Sequence, residues 1–453
     1  MAASSAVAAS SAVVKWFRGA SSYINAHRGR TFVIMLGGDA IAHRNFINIV
    51  HDIALLASLG VRLVLVHGAR PQIEDALTRA GIVTRYHRGV RVTTEEAIEV
   101  IRDTVAGLSV TLASAFSSGL PSSPLHNARI RITQSNPVIA KPMGIVDGVD
   151  YGFTGDVRRI DAQTIHALLD LGSLVIVPCL GYSPSGEVFN LRCELVAAEV
   201  ARAIRADKLI VMHGDTGVRN ADGELATELR PGELDDLIDG EADDETSARL
   251  TALASAARAG VPRCHLLSYA EDGALLLELF TREGVGTQIS NDGYETLRPA
   301  NVDDVPGIIE LIRPLEESGV LVRRSREHLE QEFNRFWVAE LDGMVIGCAA
   351  LYPFAKEEAG ELACLVTHRD FRDRHPHNVP GKGERTIGEL LLERIERSAA
   401  AQGLDRIFVL TTQAVHWFVE HGFVEAQIAS LPAQKQALYN LQRNSKVLVK
   451  TLV

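Results

Sequence analysis

Two stretches of this chain, "RTFVIML" at residues 30–36 and "VRLVLVHGA" at 61–69, are apolar almost throughout. Between them, in "FINIVHDIALLASLG", Phe46, Ile49, Val50, Ile53 and Leu56 recur at helical spacing and stop at Gly60. Strand, helix, strand in this order makes a βαβ unit, and a parallel sheet follows from it. The theme returns downstream. "SLVIVPCLGYS" reads as one buried strand, "ELVAAEVARAIRA" as a helix with Val196, Val200, Ala203 and Ile204 on one face, and "DKLIVMHGD" as a further strand. Residues 1–290 are therefore expected to form one open, mainly parallel α/β domain. The acidic stretch "ELDDLIDGEADDE" within it reads as a solvated loop or helix edge.

After "REGVGTQISNDGYETLRPA" the texture changes. Helices in "VDDVPGIIELIRPLEESG" and "RSREHLEQEF" precede strands "RFWVAELDG" and "MVIGCAALYPF", a hairpin turned by Asp342-Gly343. Strand "AGELACLVTH" leads through a Gly/Pro-rich loop into helix "IGELLLERIERSAAAQG". Strand "LDRIFVLTT", helix "AVHWFVEHGF" and a tail ending "SKVLVKTLV" complete a second, mixed α+β domain over 294–453. A length of 453 residues suits two such domains.

Composition narrows the function. A formal net charge of −11 argues against a general nucleic-acid binder, and the longest apolar runs are too short for a membrane span. The five cysteines, Cys179, Cys193, Cys264, Cys348 and Cys364, are scattered without a C-x-x-C pair, so neither a disulfide framework nor a zinc site is expected. Such usage fits a reducing cytoplasm. His375 and His377 in "RHPHN" have metal-like spacing but no third ligand, and read as loop residues. The opening "MAASSAVAASSAVV" is Ala/Ser-rich, with no acidic residue before Asp39, and reads as a frayed or helical extension; an organelle transit segment is the alternative.

In "TFVIMLGGDA" the first strand breaks into Gly37-Gly38, a form in which α/β proteins bring backbone N–H groups to a phosphate. A phosphotransfer site there calls for a cation ahead of the glycines. This chain has Met35.

In the second half, the order hairpin, strand, Gly-rich loop, amphipathic helix, strand and helix ending "HGF" resembles the GNAT acetyltransferase fold, which binds acetyl-CoA. Gly381, Gly383 and Gly388 are placed to expose backbone N–H donors to the cofactor's pyrophosphate at a helix N-terminus. From Trp16 onward the chain resembles the bacterial N-acetylglutamate synthase family, an amino acid kinase-like domain fused to a GNAT domain. The likeness rests on "YINAHRGRTFVIMLGG", "LVLVHGARPQIE", "LGYSPSGEVFN", "YAEDGALLLELFTREGVGT", "ELIRPLEESGVLVRRSRE", "GELACL", "LTTQAVHWF" and "LYNLQRNSKV".

That resemblance implies acetyl transfer from acetyl-CoA to L-glutamate, the first step of arginine biosynthesis, without a metal. It also implies L-arginine as effector and a cytoplasmic homo-oligomer, with a hexameric ring as one arrangement. Related kinases place a lysine where Met35 stands, an aspartate where Glu194 stands, and a second lysine in the region of "SARLTALASAA", which has none. Three losses point to a fold kept for something other than phosphoryl transfer, and the resemblance implies that this is the sensing of L-arginine.

Acetyl transfer to an amine needs a base, a stabilised oxyanion and cations for two carboxylates. Arg323, Arg324 and Arg326 in "LVRRSRE", with Lys435 and Arg443, are the candidate cations. The resemblance selects Arg324, and Arg443 with Ser445. Glu361, a carboxylate on an otherwise apolar strand, is the candidate base, since burial makes a carboxylate more basic; a strand-edge carboxylate facing water is the alternative. By resemblance Glu361 is the base and Thr411 the acid to the leaving thiolate. Cys364, Leu365 and Val366 form the strand whose backbone would meet the acetyl carbonyl and pantetheine arm, while Cys364 itself is expected to be an inert core thiol. His416 and Trp417 are expected in the core and the cofactor wall. For arginine, Glu278 offers a carboxylate and Gly284 and Gly286 a turn of inward-facing backbone; by resemblance the N-terminal helix around Trp16 and Tyr23 lies beside them. One departure stands out: "FRDRHPHNVPGKGERTIGELLL" is longer than the family's cofactor loop. It leaves a non-catalytic arginine sensor as one alternative; the other, a bifunctional kinase and acetyltransferase, is disfavoured by Met35.

Overall fold

The computed structural model describes residue 14 and residues 18–118, 126–128, 130–220, 223–240, 244–281, 284–291, 296–341, 344–371, 386–437 and 445–452. Two compact units divide the chain between Asn291 and Asp292.

In the first unit, strand Thr31–Leu36 is buried at every position because its sheet is covered on both faces. Alternate side chains take opposite sides. Phe32, Ile34 and Leu36 pack with Ile49, Val50 and Ile53 of helix Phe46–Ser58. Val33 and Met35 pack with Val196, Ala197 and Val200 of helix Cys193–Ala203. The eight-stranded sheet runs in the order Glu228–Leu229, Thr287–Ile289, Arg263–Ser268, Lys208–His213, Thr31–Leu36, Arg62–His67, Ser173–Pro178, Arg131–Gln134. It is parallel from Arg263–Ser268 to Arg131–Gln134, and Thr287–Ile289 turns antiparallel at one side.

"SLVIVPCLGYS", expected as one strand, is two. Ser173–Pro178 belongs to the large sheet and Leu180–Tyr182 to a separate four-stranded sheet. Pro178 has no N–H to continue a ladder, so the apolar run breaks there. The acidic stretch begins as helix Pro231–Gly240, seated through the fully buried Leu234.

The second unit is a seven-stranded sheet in the order Thr296–Pro299, Phe336–Leu341, Met344–Phe354, Ala359–Thr367, Arg406–Thr411, Lys446–Thr451, Val424–Ala426. Asp342 and Gly343, the expected hairpin turn, lie outside the described residues. Helix Ile387–Ala401 lays Leu391, Leu392 and Ile395 on this sheet, and a capping box of Thr386 and Glu389 starts it. All neighbouring strands are antiparallel except Ala359–Thr367 and Arg406–Thr411. That parallel pair joins only from Ala359↔Arg406 to Glu361↔Phe408. Just beyond, Cys364 adopts φ 50, in the left-handed region, and the register with Met344–Phe354 shifts between Cys348 and Ala350. A bulge of this kind bends its strand, and here the two parallel strands part.

Candidate active site

Between the parted strands lies a cavity of about 800 Å³. Residues 361–367 form one wall and residues 409–411 another; Arg324, Lys435, Ser445, Gly388 and Trp417 also face it. The chain thus brings together residues from six separate sequence regions.

Glu361 stands at the last paired position before the strands part, and is 8% exposed. Burial of a carboxylate is costly unless it is paired. Its partner is Lys435 on helix Ala433–Ala437, with Nζ 2.6 Å from Oε2. A base candidate and a substrate-cation candidate therefore hold one another.

Of the three arginines in "LVRRSRE", only Arg324 lines the cavity. Arg323 is exposed, and Arg326 is exposed and bound to Glu330 on its own helix at 2.7 Å. Arg324 is anchored by its backbone N–H, donated to Glu316 Oε1 at 2.9 Å, and by Nη1, donated to the Val322 carbonyl at 3.0 Å. Among the described residues no carboxylate forms an ion pair with its guanidinium, and Glu361 acts on it only from a distance.

Thr411 ends its strand with Oγ1 accepting the N–H groups of Gln413 and Ala414, at 3.4 and 3.2 Å. With its lone pairs so engaged, the hydroxyl has its proton left to donate. Ser445 is buried beside it, next to the Thr411↔Lys446 pair. Cys364 is 2% exposed, and burial pushes its thiol up to about 11 although Arg324 pulls it down. It is a poor source of thiolate near neutral pH. Leu365 and Val366 line the same wall. Past Glu361, residues 362–367 have no strand partner on the Arg406–Thr411 side, which leaves backbone groups facing the cavity.

Gly388 lies in the first turn of helix Ile387–Ala401, where an added Cβ would meet Trp417 at an ordinary 3.5 Å. Its glycine is not required by crowding. Trp417 stacks on His421 with ring centroids 4.1 Å apart, whereas His416, expected in the core, is exposed because the short helix Val415–Glu420 turns it to solvent. Gly381, Gly383, Arg443, Trp16, His375 and His377 lie outside the described residues.

In the first unit, Glu278 on helix Ala274–Phe280 is buried, with Oε1 2.7 Å from His265 Nδ1. Its Oε2 accepts the N–H groups of Val285 and Gly286, at 2.8 and 3.1 Å. Burial raises this carboxyl, but the hydrogen bond from His265 and the two amides hold it below the usual carboxylate range, while burial lowers the His265 imidazole. Gly284 sits at φ 62, and a Cβ there would come within 2.6 Å of Glu278 Oε2. Carboxylate and glycine turn are built against each other, and the inward amides expected for a ligand are spent on Glu278 itself. His265 went unnoticed in the sequence because it lies inside a strand of apolar neighbours. Tyr23 is half-buried and packs on the core that contains Leu279 and Phe280.

Gly37, Gly38, Gly68, Arg192 and Glu194 line a separate cavity of about 130 Å³. Met35 is not among its lining residues. At 3% exposure it points into the apolar layer under helix Cys193–Ala203. Among the described residues, no group of three or more His, Cys, Asp or Glu is placed to hold a metal ion. No described helix is long and apolar enough to cross a membrane.

A parallel α/β unit followed by a bulged, parted sheet, with a buried carboxylate, a hydroxyl and unpaired backbone groups at the opening, has the build of a two-domain acetyltransferase. Accordingly, residues 30–268 match the amino acid kinase family and residues 332–425 the acetyltransferase (GNAT) domain. An amino-acid acetyltransferase from Pseudomonas putida is 50% identical over 439 residues, covering 97% of this chain and 99% of its own length. N-acetylglutamate synthase from Neisseria gonorrhoeae, solved in complex with coenzyme A and L-arginine, is 35% identical with a TM-score of 0.83, covering 97% of this chain and 99% of that one. The same enzyme with coenzyme A and N-acetyl-glutamate is 36% identical with a TM-score of 0.59 at the same coverage. This chain belongs to the amino-acid acetyltransferase family and is an acyltransferase.

Proposed function

We propose that the protein transfers the acetyl group of acetyl-CoA to the α-amino nitrogen of L-glutamate, and that its first unit binds L-arginine as a regulator. The observation that carries this reading is Arg324: a guanidinium facing an 800 Å³ cavity that the Glu361–Lys435 pair also lines, with no carboxylate paired to it among the described residues. A cation so placed calls for an anionic substrate, and two cations, Arg324 and Lys435, suit one with two carboxylates.

The chemistry follows from the same groups. Acetyl-CoA enters between the parted strands, its pantetheine amides meeting the backbone of residues 362–367. A glutamate carboxylate arriving at Lys435 competes with Glu361 for the ammonium and frees the base as the amine comes in. Glu361 takes the amine's proton, the nitrogen attacks the thioester carbon, and backbone N–H groups near Cys364 and Val366 hold the oxyanion. Collapse expels the coenzyme thiolate, which takes a proton from Thr411 as the nitrogen's second proton passes to the Thr411 oxygen, so the hydroxyl is restored. Arg443 and Ser445 are assigned to the carboxylate site and Gly381, Gly383 and Gly388 to the pyrophosphate site; Trp16, Tyr23, Glu278, Gly284 and Gly286 are assigned to the arginine site, where the effector's guanidinium would take over from His265 at Glu278 Oε1 while the two amides stay on Oε2.

Kinase chemistry is disfavoured by the placement of Met35, which keeps a cation out of the apolar layer behind the glycines. The protein works as a cytoplasmic homo-oligomer on this reading. Release of coenzyme A thiol from acetyl-CoA is expected with L-glutamate and not with other amino acids, and to fall in Arg324→Ala. Equal release with glutamine would show that the second carboxylate is not read.

A further inference from the structure

Tyr352 lies on strand Met344–Phe354 directly opposite Glu361, so the two side chains leave the sheet on the same face. Its ring is packed against the core beside Phe333 and Leu315, and the Arg335 guanidinium covers it at 4.9 Å. Its hydroxyl is buried and, as placed, meets full hydrogen-bond geometry with neither neighbour, although Arg324 and Glu332 both lie within bonding reach of it. Arg324 and Glu332 act on this hydroxyl in opposite senses, the cation favouring loss of its proton and the carboxylate its retention. Glu332 is otherwise tied to His328 at 3.0 Å and Arg335 at 3.7 Å. Tyr352 does not itself line the cavity; Arg324 does.

Buried hydroxyls in native proteins are nearly always paired, and leaving one unpaired is destabilising. A phenol placed between a carboxylate and a guanidinium can donate to the first while accepting from the second. We infer that Tyr352 is a positioning residue for amino-acid binding: its hydroxyl links Glu332 to Arg324 and fixes the guanidinium in the orientation that receives the substrate carboxylate. The inference rests on the proposed role of Arg324 in binding a carboxylate substrate.

The geometry separates the two substrates. Arg324 faces the amino-acid end, and no part of Tyr352 reaches the strand opening assigned to the coenzyme. Tyr352→Phe keeps the ring, its packing and the Arg335 contact, and removes only the hydroxyl. Steady-state kinetics of the full chain should then show KM for L-glutamate raised about 10-fold, with kcat and KM for acetyl-CoA within about 2-fold, in the range for one lost hydrogen bond to a charged group.

A general packing role would not give that split, nor the coupling that goes with it. In an Arg324→Lys background, where the fork is gone, adding Tyr352→Phe should change KM for L-glutamate by less than about 2-fold. Full additivity of the two substitutions, or an unchanged KM for L-glutamate in Tyr352→Phe, would overturn the inference. If instead wild-type protein does not turn over L-glutamate at all, the functional reading beneath it fails, and the two failures are told apart by that control.

Discussion

Glu361→Gln tests the chemistry most sharply. Glutamine keeps the shape of the side chain and can still accept a hydrogen bond from Lys435, but it cannot take up a proton from an ammonium. Two effects need separating. Breaking a fully buried ion pair costs roughly 3–5 kcal/mol in stability. Lys435, however, keeps 27% side-chain exposure, against 11% for Glu361, so water screens the orphaned ammonium and a cost of about 1 kcal/mol is the better expectation. Loss of a general base lowers rates by about 10² to 10⁴, or roughly 3–5 kcal/mol of barrier. The kinetic effect therefore dominates, and the variant should fold, bind acetyl-CoA with nearly normal affinity and turn over slowly. The assay is coenzyme A thiol release at saturating L-glutamate, followed from near neutral pH upward. The deficit should be largest near neutrality and should narrow as solvent deprotonates more of the substrate amine. Turnover within about 3-fold of wild type near neutral pH would refute the assignment of Glu361 as base.

Three further outcomes follow. Arg324→Ala should raise KM for L-glutamate by the equivalent of roughly 2–5 kcal/mol, with the acetyl-CoA constant little changed; equal loss for both substrates would point to a damaged fold. Glu278→Ala should abolish the calorimetric heat of L-arginine binding to the full chain, and a heat of normal size would remove Glu278 from that site. His67, fully buried on strand Arg62–His67, has its imidazole lowered from 6.5 to about 4 by burial, against which the Gly68 carbonyl raises it. The unfolded chain then binds the extra proton first, so stability is full near neutral pH and declines as pH falls from 6.5 to about 4, by on the order of 3 kcal/mol. Hydrogen exchange of that strand should track this decline and lose the slope in His67→Gln; the same slope in the variant would assign it elsewhere.

Much of this was legible in the residues because local pattern carried it. The fully apolar strands near residues 31 and 62 demanded cover on both faces, and the helix at 46–58 with its period of apolar positions supplied one side. Glu361 stood out as a charge among apolar neighbours, and its burial agrees with that signal. Other features depend on contacts that no local pattern encodes. Nothing in "GELACLV" announces that Cys364 takes a left-handed backbone, which cysteine rarely adopts, although that bulge parts the strands. The pairing of Glu361 with Lys435 and of His265 with Glu278 joins separate elements and becomes visible only once the sheet is assembled. "SLVIVPCLGYS" misled because an apolar run reads alike whether it serves one sheet or two. Among the three arginines at 323–326, local spacing could not tell which one turns inward.

The central claim is that the parted sheet of the second unit acetylates L-glutamate at its α-amino nitrogen. Incubating the full chain with carbon-labelled acetyl-CoA and L-glutamate, and following the product by NMR, tests this directly. The account predicts a labelled acetyl group bonded to the glutamate nitrogen, formed in step with thiol release, and a rate that changes when L-arginine is added. Thiol release without labelled N-acetylglutamate, or no reaction with glutamate alongside ready acetylation of an amine that carries no carboxylate, would contradict it.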